Sequence, residues 1–339
     1  MWPVEGNPGA APALDRPARW ALLAGGAGVL LAVVAATIVA IHASGPAVPA
    51  YSAAGTGVAR LWVGGSSGFH ELPATSRGPR SNHVDLAFDA GRGVVVAWDH
   101  GCARLVMGFT GGCGEEVDQT WTWDGRAWRE MSTSTQPASS GAGVMGYDDT
   151  LRAVIYANRA GQAWRWSGSD WSVLRLDPPA EVAHGGSIAI GFDRGGGLLF
   201  VTSGSTWDWS GTAWQRHSGG IDAADARTDN AQLVAGYLFV GKRYTWMWDG
   251  ISWRQALQPA FTTAATAYDS RAGTEILLAE DPNTCDRTHC QSATWTWTGA
   301  AWKRQGAGPV FPLNGSGAFP PAMVFDPLRD GLDVLVSAA

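Results

Sequence analysis

The chain has 339 residues and a formal net charge of −6, with 24 lysines and arginines against 30 aspartates and glutamates. It lacks the basic stripe with which nucleic-acid-binding proteins contact phosphates, so we expect no nucleic-acid partner. Aromatic residues make up 10% of the chain and charged residues only 16%. This composition excludes a solvated, disordered polypeptide and indicates a globular domain.

The first 57 residues predict a tail, a membrane helix and a linker, in that order. Residues 1–19 are rich in proline, glycine and alanine, which is typical of a short disordered tail. Residues 20–42 begin with an uncharged apolar run that would extend roughly 33 Å as a helix, enough to cross a bilayer core. Arginines on its N-terminal side predict a single-pass plasma-membrane anchor with a cytoplasmic N-terminus. A cleavable signal peptide is the alternative. Residues 43–57 are expected to form a linker.

A signature with three tryptophans, Trp-x-Trp-[Asp/Ser/Thr]-Gly-x-x-Trp, occurs five times in the remaining chain and holds 15 of the 19 tryptophans of the full sequence. The copies are Trp121/Trp123/Trp128, Trp164/Trp166/Trp171, Trp207/Trp209/Trp214, Trp246/Trp248/Trp253 and Trp295/Trp297/Trp302. The alternation before the turn predicts a strand, and the glycine predicts a tight turn into a second strand. Each copy is therefore expected to be a β-hairpin whose tryptophans pack between neighbouring blades.

A second hairpin precedes each copy of the signature. In the clearest case an apolar run, 84–89, ends in Phe-Asp, and a β-branched run, 94–98, returns after a short turn. The same pattern precedes three other copies and is degraded before Trp246. Two hairpins make a four-stranded antiparallel sheet repeated about every 45 residues, which is typical of propeller blades.

The two ends of this repeated region each carry half a repeat. Residues 60–72 contain a tryptophan hairpin without a first hairpin, and residues 322–336 contain a first hairpin without a tryptophan hairpin. Pairing the two halves would remove the open edges of a linear array. We therefore predict that residues 58–339 form an all-β, six-bladed β-propeller of four-stranded blades, whose last blade is closed by the N-terminal hairpin.

The Phe-Asp or Tyr-Asp hairpin followed by the tryptophan signature resembles the kelch repeat and the related galactose-oxidase-type propellers. The chain departs from kelch repeats in one respect, because it lacks the usual Gly-Gly pair after the second strand. That position is Trp98-Asp99, Tyr156-Ala157 and Ala279-Glu280 in three of the repeats. The resemblance implies binding of proteins, sugars or peptides, or in a few cases catalysis, so it does not identify a function.

The four cysteines form two close pairs, Cys102/Cys113 and Cys285/Cys290. In an exported domain these pairs predict two local disulfides. A metal site at 285–290 is the alternative, but no second group of ligands accompanies it, so no metal is predicted. Both pairs lie between the second and third strands of a blade, and such connections emerge on one face. The crosslinked loops are either a recognition surface on that face or loops that are merely stabilised.

The residues at which the chain enters each blade are expected to face the mouth of the central channel. His83, His184 and Asp229 are the candidate binding residues there, since a histidine near an aspartate could also act as a general base. The simpler alternative is a polar channel lining. We predict no catalytic residue set and no cofactor.

Together these patterns predict a membrane-anchored, non-enzymatic binding module that recognises a protein or a glycan outside the cytoplasm. The alternative is an extracytoplasmic hydrolase or lyase with its site at the channel mouth, and a third possibility is a sensor or scaffold. The alanine- and glycine-rich, lysine-poor composition is typical of a bacterial protein.

Overall fold

The computed structural model describes residues 60–65, 68–73, 77–106, 112–138, 143–184, 187, 189–192, 197–221, 232–234, 238–240, 244–257, 264–281, 284, 289–312 and 321–336. The predicted tail, membrane helix and linker lie outside these residues. Within the described ranges, no helix combines the length and the apolar character needed to span a bilayer. The propeller belongs to a compact unit, Ala54–Ala339.

The described residues form 24 strands and one short helix. In chain order they are β1 (Arg60–Gly65), β2 (Gly68–Glu71), β3 (Val84–Asp89), β4 (Val94–Val106), β5 (Gly112–Trp123), β6 (Trp128–Met131), β7 (Gly143–Asp148), β8 (Ala153–Asn158), β9 (Ala163–Trp166), β10 (Trp171–Leu174), α1 (Ala180–Ala183), β11 (Ala189–Phe192), β12 (Leu198–Val201), β13 (Ser205–Trp209), β14 (Trp214–Ser218), β15 (Gln232–Val234), β16 (Leu238–Val240), β17 (Tyr244–Trp248), β18 (Trp253–Leu257), β19 (Ala264–Asp269), β20 (Thr274–Glu280), β21 (His289–Trp297), β22 (Trp302–Pro312), β23 (Ala322–Asp326) and β24 (Gly331–Val336).

The predicted number of six separate blades is wrong, because the strands form five hydrogen-bonded sheets. We name them the first sheet (β3–β6), the second sheet (β7–β10), the eight-stranded sheet (β11–β18), the fourth sheet (β19–β22) and the closing sheet (β1, β2, β23 and β24). Two repeats merge in the eight-stranded sheet because β11 and β15 pair in parallel, through Ile190↔Gln232 and Gly191↔Leu233. The first strands of successive repeats nevertheless contact one another in a closed circuit, as in a propeller.

The closing sheet confirms that the two ends of the repeated region complete each other. Strand β1 pairs with β24 in antiparallel register, from Arg60↔Val336 to Gly64↔Leu332. The strand order is β2-β1-β24-β23, so the C-terminal hairpin supplies the inner strands. This pairing joins segments from opposite ends of the chain and leaves no open edge between the first and fourth sheets.

The tryptophan hairpins have the expected geometry. Glycine occupies the turn of all five copies with φ between 91° and 101°, a conformation that costs other residues steric strain. The hairpins also connect neighbouring repeats, because in three of the five copies the third tryptophan donates its indole N–H to a threonine of the preceding repeat. These bonds are Trp171 to Thr120 (2.8 Å), Trp253 to Thr206 (2.7 Å) and Trp302 to Thr245 (2.8 Å). The signature thus stabilises the junctions between repeats as well as the hairpins.

Candidate functional site

The hairpin formed by β4 and β5 projects from the propeller. We call the side at which the first strands begin the upper face. Strand β4 pairs with β3 only as far as Val84↔Asp99. Strands β4 and β5 continue together beyond this point to Val106↔Gly112, so their hairpin extends above the upper face. In the second sheet, by contrast, residues 159–162 alone connect β8 to β9.

A disulfide between Cys102 and Cys113 crosslinks the projecting hairpin, with the two Cα atoms 5.5 Å apart. This confirms the first predicted pair. Cys285 and the side chain of Cys290 lie outside the described part of the chain, so the second pair stays a prediction. Because a crosslinked hairpin has few conformations to lose, it can present side chains at fixed positions.

A buried cluster of aromatic and ionisable side chains lies at the base of the hairpin. We call Asp85, Trp98, His100 and Tyr156 the His100 cluster. The His100 side chain is only 4% exposed, and its Nε2 lies 3.0 Å from Oδ2 of Asp85. Its ring stacks on Trp98 at a centroid distance of 5.7 Å and meets Tyr156, from the second sheet, edge-on at 6.1 Å. The cluster therefore lies at the junction of the first and second sheets.

A neighbouring network holds His83 beside this cluster. The buried carboxylate of Asp99 accepts the backbone N–H groups of Arg80 and Ser81, both at 2.9 Å. Burial raises the pKa of Asp99, and these hydrogen bonds counteract part of that rise. Ser81 donates its hydroxyl to the carbonyl of His83 at 2.7 Å. As a result the exposed His83 ring lies 5.6 Å from the His100 ring.

Two polar atoms of the His100 cluster have no hydrogen-bond partner among the described residues. They are the hydroxyl of Tyr156 and Nε1 of Trp98, and both side chains are fully buried. Burial raises the pKa of Tyr156, and the negative charge of Asp85 adds to this effect. The Tyr156 hydroxyl ends over Gly143, where a Cβ atom would lie only 2.4 Å from it. The absence of a side chain at Gly143 therefore leaves room for the Tyr156 hydroxyl, which has no hydrogen-bond partner among the described residues.

Two exposed carboxylates, Glu116 and Asp118, stand above the cluster, and we call them the acidic rim. Asp118 is directly opposite His100 in the β4–β5 register. Burial raises the pKa of Asp118, His100 lowers it and Glu116 raises it further. Neither rim carboxylate has an ion-pair partner in the described part of the chain, whereas the adjacent Glu115 pairs with Arg80 at 2.8 Å.

The other two predicted site residues lie elsewhere. His184 is exposed and caps the C-terminal end of α1, in the connection between the second and eight-stranded sheets. The same helix carries Glu181, which accepts hydrogen bonds from Thr202 (2.7 Å) and from Nε1 of Trp207 (3.1 Å). Asp229 lies outside the described residues. His83 is thus the only predicted site residue placed at the His100 cluster.

The sequence patterns did not identify Asp85, His100 or Tyr156 as candidate site residues. A signal for Asp85 was present, because four other repeats have a small or apolar residue at the same distance before their Phe-Asp or Tyr-Asp pair. Those residues are Val144, Ala189, Ala265 and Ala322. His100 and Tyr156 carry no such signal, since only the packing of two sheets brings them together. Within the described ranges, no group of three or more His, Cys, Asp or Glu residues is arranged to hold a metal ion.

Comparison with known proteins supports the fold and no more. No protein-family profile and no curated protein matches the chain, so membership of the kelch-like family is not confirmed. One similar solved structure is YCF48 bound to D1 peptide, with 13% identity, a TM-score of 0.37 and coverage of 74% of this chain and 82% of that chain. Another is the SapL1 lectin in complex with alpha methyl fucoside, with 11% identity, a TM-score of 0.35 and coverage of 84% and 90%.

A third is the β-propeller domain of Cps50 (Swd1) from Myceliophteria thermophila, with 11% identity, a TM-score of 0.32 and coverage of 78% and 98%. Likeness at this level concerns the propeller fold and does not indicate a ligand.

Proposed function

We propose that this protein is a binding module that works outside the cytoplasm and recognises a protein or glycan ligand through its upper face. The observation that carries the proposal is the projecting β4–β5 hairpin, crosslinked by Cys102–Cys113 and standing over the His100 cluster. Binding surfaces are commonly built from loops that a rigid scaffold positions. A crosslinked hairpin also loses less conformational entropy on binding than a free loop does.

The location outside the cytoplasm rests on the disulfide, because such bonds persist in oxidising compartments and are rare in the cytosol. The measurement is the redox state of Cys102 and Cys113 in protein taken from its native cells. Alkylation before and after reduction, followed by peptide mass spectrometry, distinguishes the two states. We expect the pair to be oxidised, and a fully reduced pair in freshly quenched cells would contradict this location.

Binding is tested by screening the full chain against a glycan array and a library of extracellular proteins. A hit is then measured against a variant in which an Asn-Gly turn replaces residues 103–112 and both cysteines are serine. Leu328→Ser is the matched control, because Leu328 is 68% exposed on the opposite face. We expect the shortened variant to lose binding and the control to keep it. Equal affinity of the shortened variant and the wild type would refute the choice of face.

A specific observation favours a second function, an extracytoplasmic hydrolase or lyase. Asp85 accepts a hydrogen bond from Nε2 of His100, which would leave Nδ1 as the basic nitrogen of the imidazole. A panel of fluorogenic ester, glycoside and peptide substrates tests this function. Turnover by the wild type that disappears in His100→Gln would favour the enzyme, and no turnover above buffer would favour the binding module.

A further inference from the structure

We infer that the acidic rim and the His100 cluster together bind a basic side chain, lysine or arginine, of a protein partner. This inference rests on the proposed binding function and names the chemistry of the ligand. The site lies on the upper face, where the first sheet meets the second.

The side chains of the site point in one direction. Residues two apart on a strand share a face, so Glu116, Asp118 and Thr120 of β5 point the same way. Thr120 accepts the indole N–H of Trp171 from the second sheet. This face of β5 is therefore directed toward the junction between the first and second sheets. Asp85 faces the same junction, since its partner His100 contacts Tyr156 of the second sheet. Three carboxylates are thus oriented toward one junction.

No lysine or arginine of the described ranges forms an ion pair with these carboxylates. Among the ion pairs of the described residues, Asp85 has only His100 as a partner, and Glu116 and Asp118 have none. Burial is the largest cause of the raised pKa of Asp118, and repulsion from the charge of Glu116 adds to it. A cation placed between them would relieve this repulsion, whereas an anion would increase it.

The hydroxyl of Tyr156, which has no described hydrogen-bond partner, is evidence for a ligand that does not depend on the charges of the carboxylates. A buried hydroxyl without a hydrogen bond costs stability, so such groups are rare unless something else bonds to them. The oxygen can accept a hydrogen bond from an ammonium or guanidinium N–H, and the tyrosine ring can add a cation–π contact. A neutral sugar could also bond to the hydroxyl, but it would leave the charges of Glu116 and Asp118 without the cationic partner that they lack among the described residues. A basic side chain satisfies both features.

The test uses the full chain and two fluorescently labelled probes, hexalysine and hexaarginine, with hexaglutamate as a negative probe. Affinity is measured by fluorescence anisotropy at low and at near-physiological salt. We expect Asp118→Asn and Glu116→Gln each to weaken binding about fivefold. The matched control is Glu115→Gln, which removes the same charge from the same hairpin at a residue that pairs with Arg80 on the other side. Its affinity should stay within about twofold of the wild type.

Tyr156→Phe separates a binding role from a packing role. The substitution keeps the ring and removes a hydroxyl that has no described partner, so the melting temperature should stay the same or rise. Affinity for the cationic probes should nevertheless fall about tenfold, because a hydrogen bond to a charged group is lost. A folded Tyr156→Phe protein that binds as tightly as the wild type would refute the site.

Other outcomes also decide between the two proposals. If neither cationic probe binds, or if Glu115→Gln weakens binding as much as Asp118→Asn, the inference is wrong and any attraction is only a general charge effect. A ligand that requires the β4–β5 hairpin but ignores Asp118→Asn and Tyr156→Phe would leave the proposed binding function intact and refute the basic side chain.

Discussion

The indole-to-threonine bonds between repeats allow a quantitative test of how the tryptophan signature stabilises the propeller. In the first of them, Thr120 is fully buried and accepts the N–H of Trp171 at 2.8 Å, and Trp171 itself is only 2% exposed. Thr120→Val keeps the side-chain shape and suits a strand equally well. It removes the oxygen that accepts the Trp171 indole N–H among the described residues.

The expected loss of stability follows from the burial of the donor. A buried N–H without an acceptor costs about 1–3 kcal/mol, because water cannot replace the lost partner. For a domain of this size, about 2 kcal/mol corresponds to a fall in melting temperature of roughly 4 °C. Urea denaturation of the full chain, followed by tryptophan fluorescence, measures the free energy of unfolding, and an unchanged m-value is required for the comparison.

The fourth sheet offers a matched control. Thr294 occupies the equivalent position before Trp295, but the following sheet has Phe69 in its outermost strand, and the side chain of Phe69 has no N–H to donate. The described bond of Thr294 is a long one, 3.4 Å to the carbonyl of Gly306. Thr294→Val should therefore cost less than about 0.5 kcal/mol. On a Trp171→Phe background, Thr120→Val should also become nearly neutral, because the donor is gone. Equal losses from Thr120→Val and Thr294→Val would refute this explanation of the signature.

Three further predictions concern a carboxyl group, a glycine and the disulfide. Burial raises the pKa of Asp333 to about 7, so the folded state binds its proton more tightly than the unfolded chain does. The free energy of unfolding should then fall by at most ~4 kcal/mol as the pH rises from about 4 to about 7, and Asp333→Asn should flatten that profile in urea titrations. Gly143→Ala should lower the free energy of unfolding by about 1–3 kcal/mol in the same urea titration, because its new methyl group would overlap the Tyr156 ring. The methyl group of Gly250→Ala meets no neighbouring atom, so this variant measures backbone strain alone. Changing both Cys102 and Cys113 to serine should lower the stability by up to about 3 kcal/mol and expose the β4–β5 hairpin to limited proteolysis, with wild-type protein under reducing conditions as the comparison.

Much of the fold could be predicted because the hairpins are encoded locally. Alternating tryptophans, a turn glycine and a Phe-Asp pair are short-range signals, and the structure places hairpins at each of them. The pairing of β1 with β24 was predictable for another reason, since two incomplete repeats leave edges that need a partner. The number of sheets was not predictable in this way. The merger of β11 with β15 uses backbone hydrogen bonds of Ile190 and Gly191, which side-chain patterns do not encode.

The candidate site was harder to predict because it depends on exceptions to the repeat. Asp85 replaces a small or apolar residue, and the β4–β5 hairpin is longer than its counterpart in the second sheet. His100 and Tyr156 come from different sheets, so their contact exists only after the repeats have packed. His83 was selected for its position before β3, and its role in binding stays a prediction.

The His100 cluster and one of the indole-to-threonine bonds lie at the same junction, between the first and second sheets. Burying an Asp–His pair and a tyrosine hydroxyl that has no described partner costs free energy, and such costs persist only where the surrounding structure is strongly held. Directly below the cluster, the Trp171–Thr120 bond and the apolar core around Val96 and Val154 join the first and second sheets. If this junction supports the site, Thr120→Val should weaken the binding of cationic peptides even though Thr120 contacts no ligand. Thr206→Val removes the acceptor of Trp253 and a bond to the carbonyl of Gly219 at a junction in the eight-stranded sheet, and it should leave that binding unchanged.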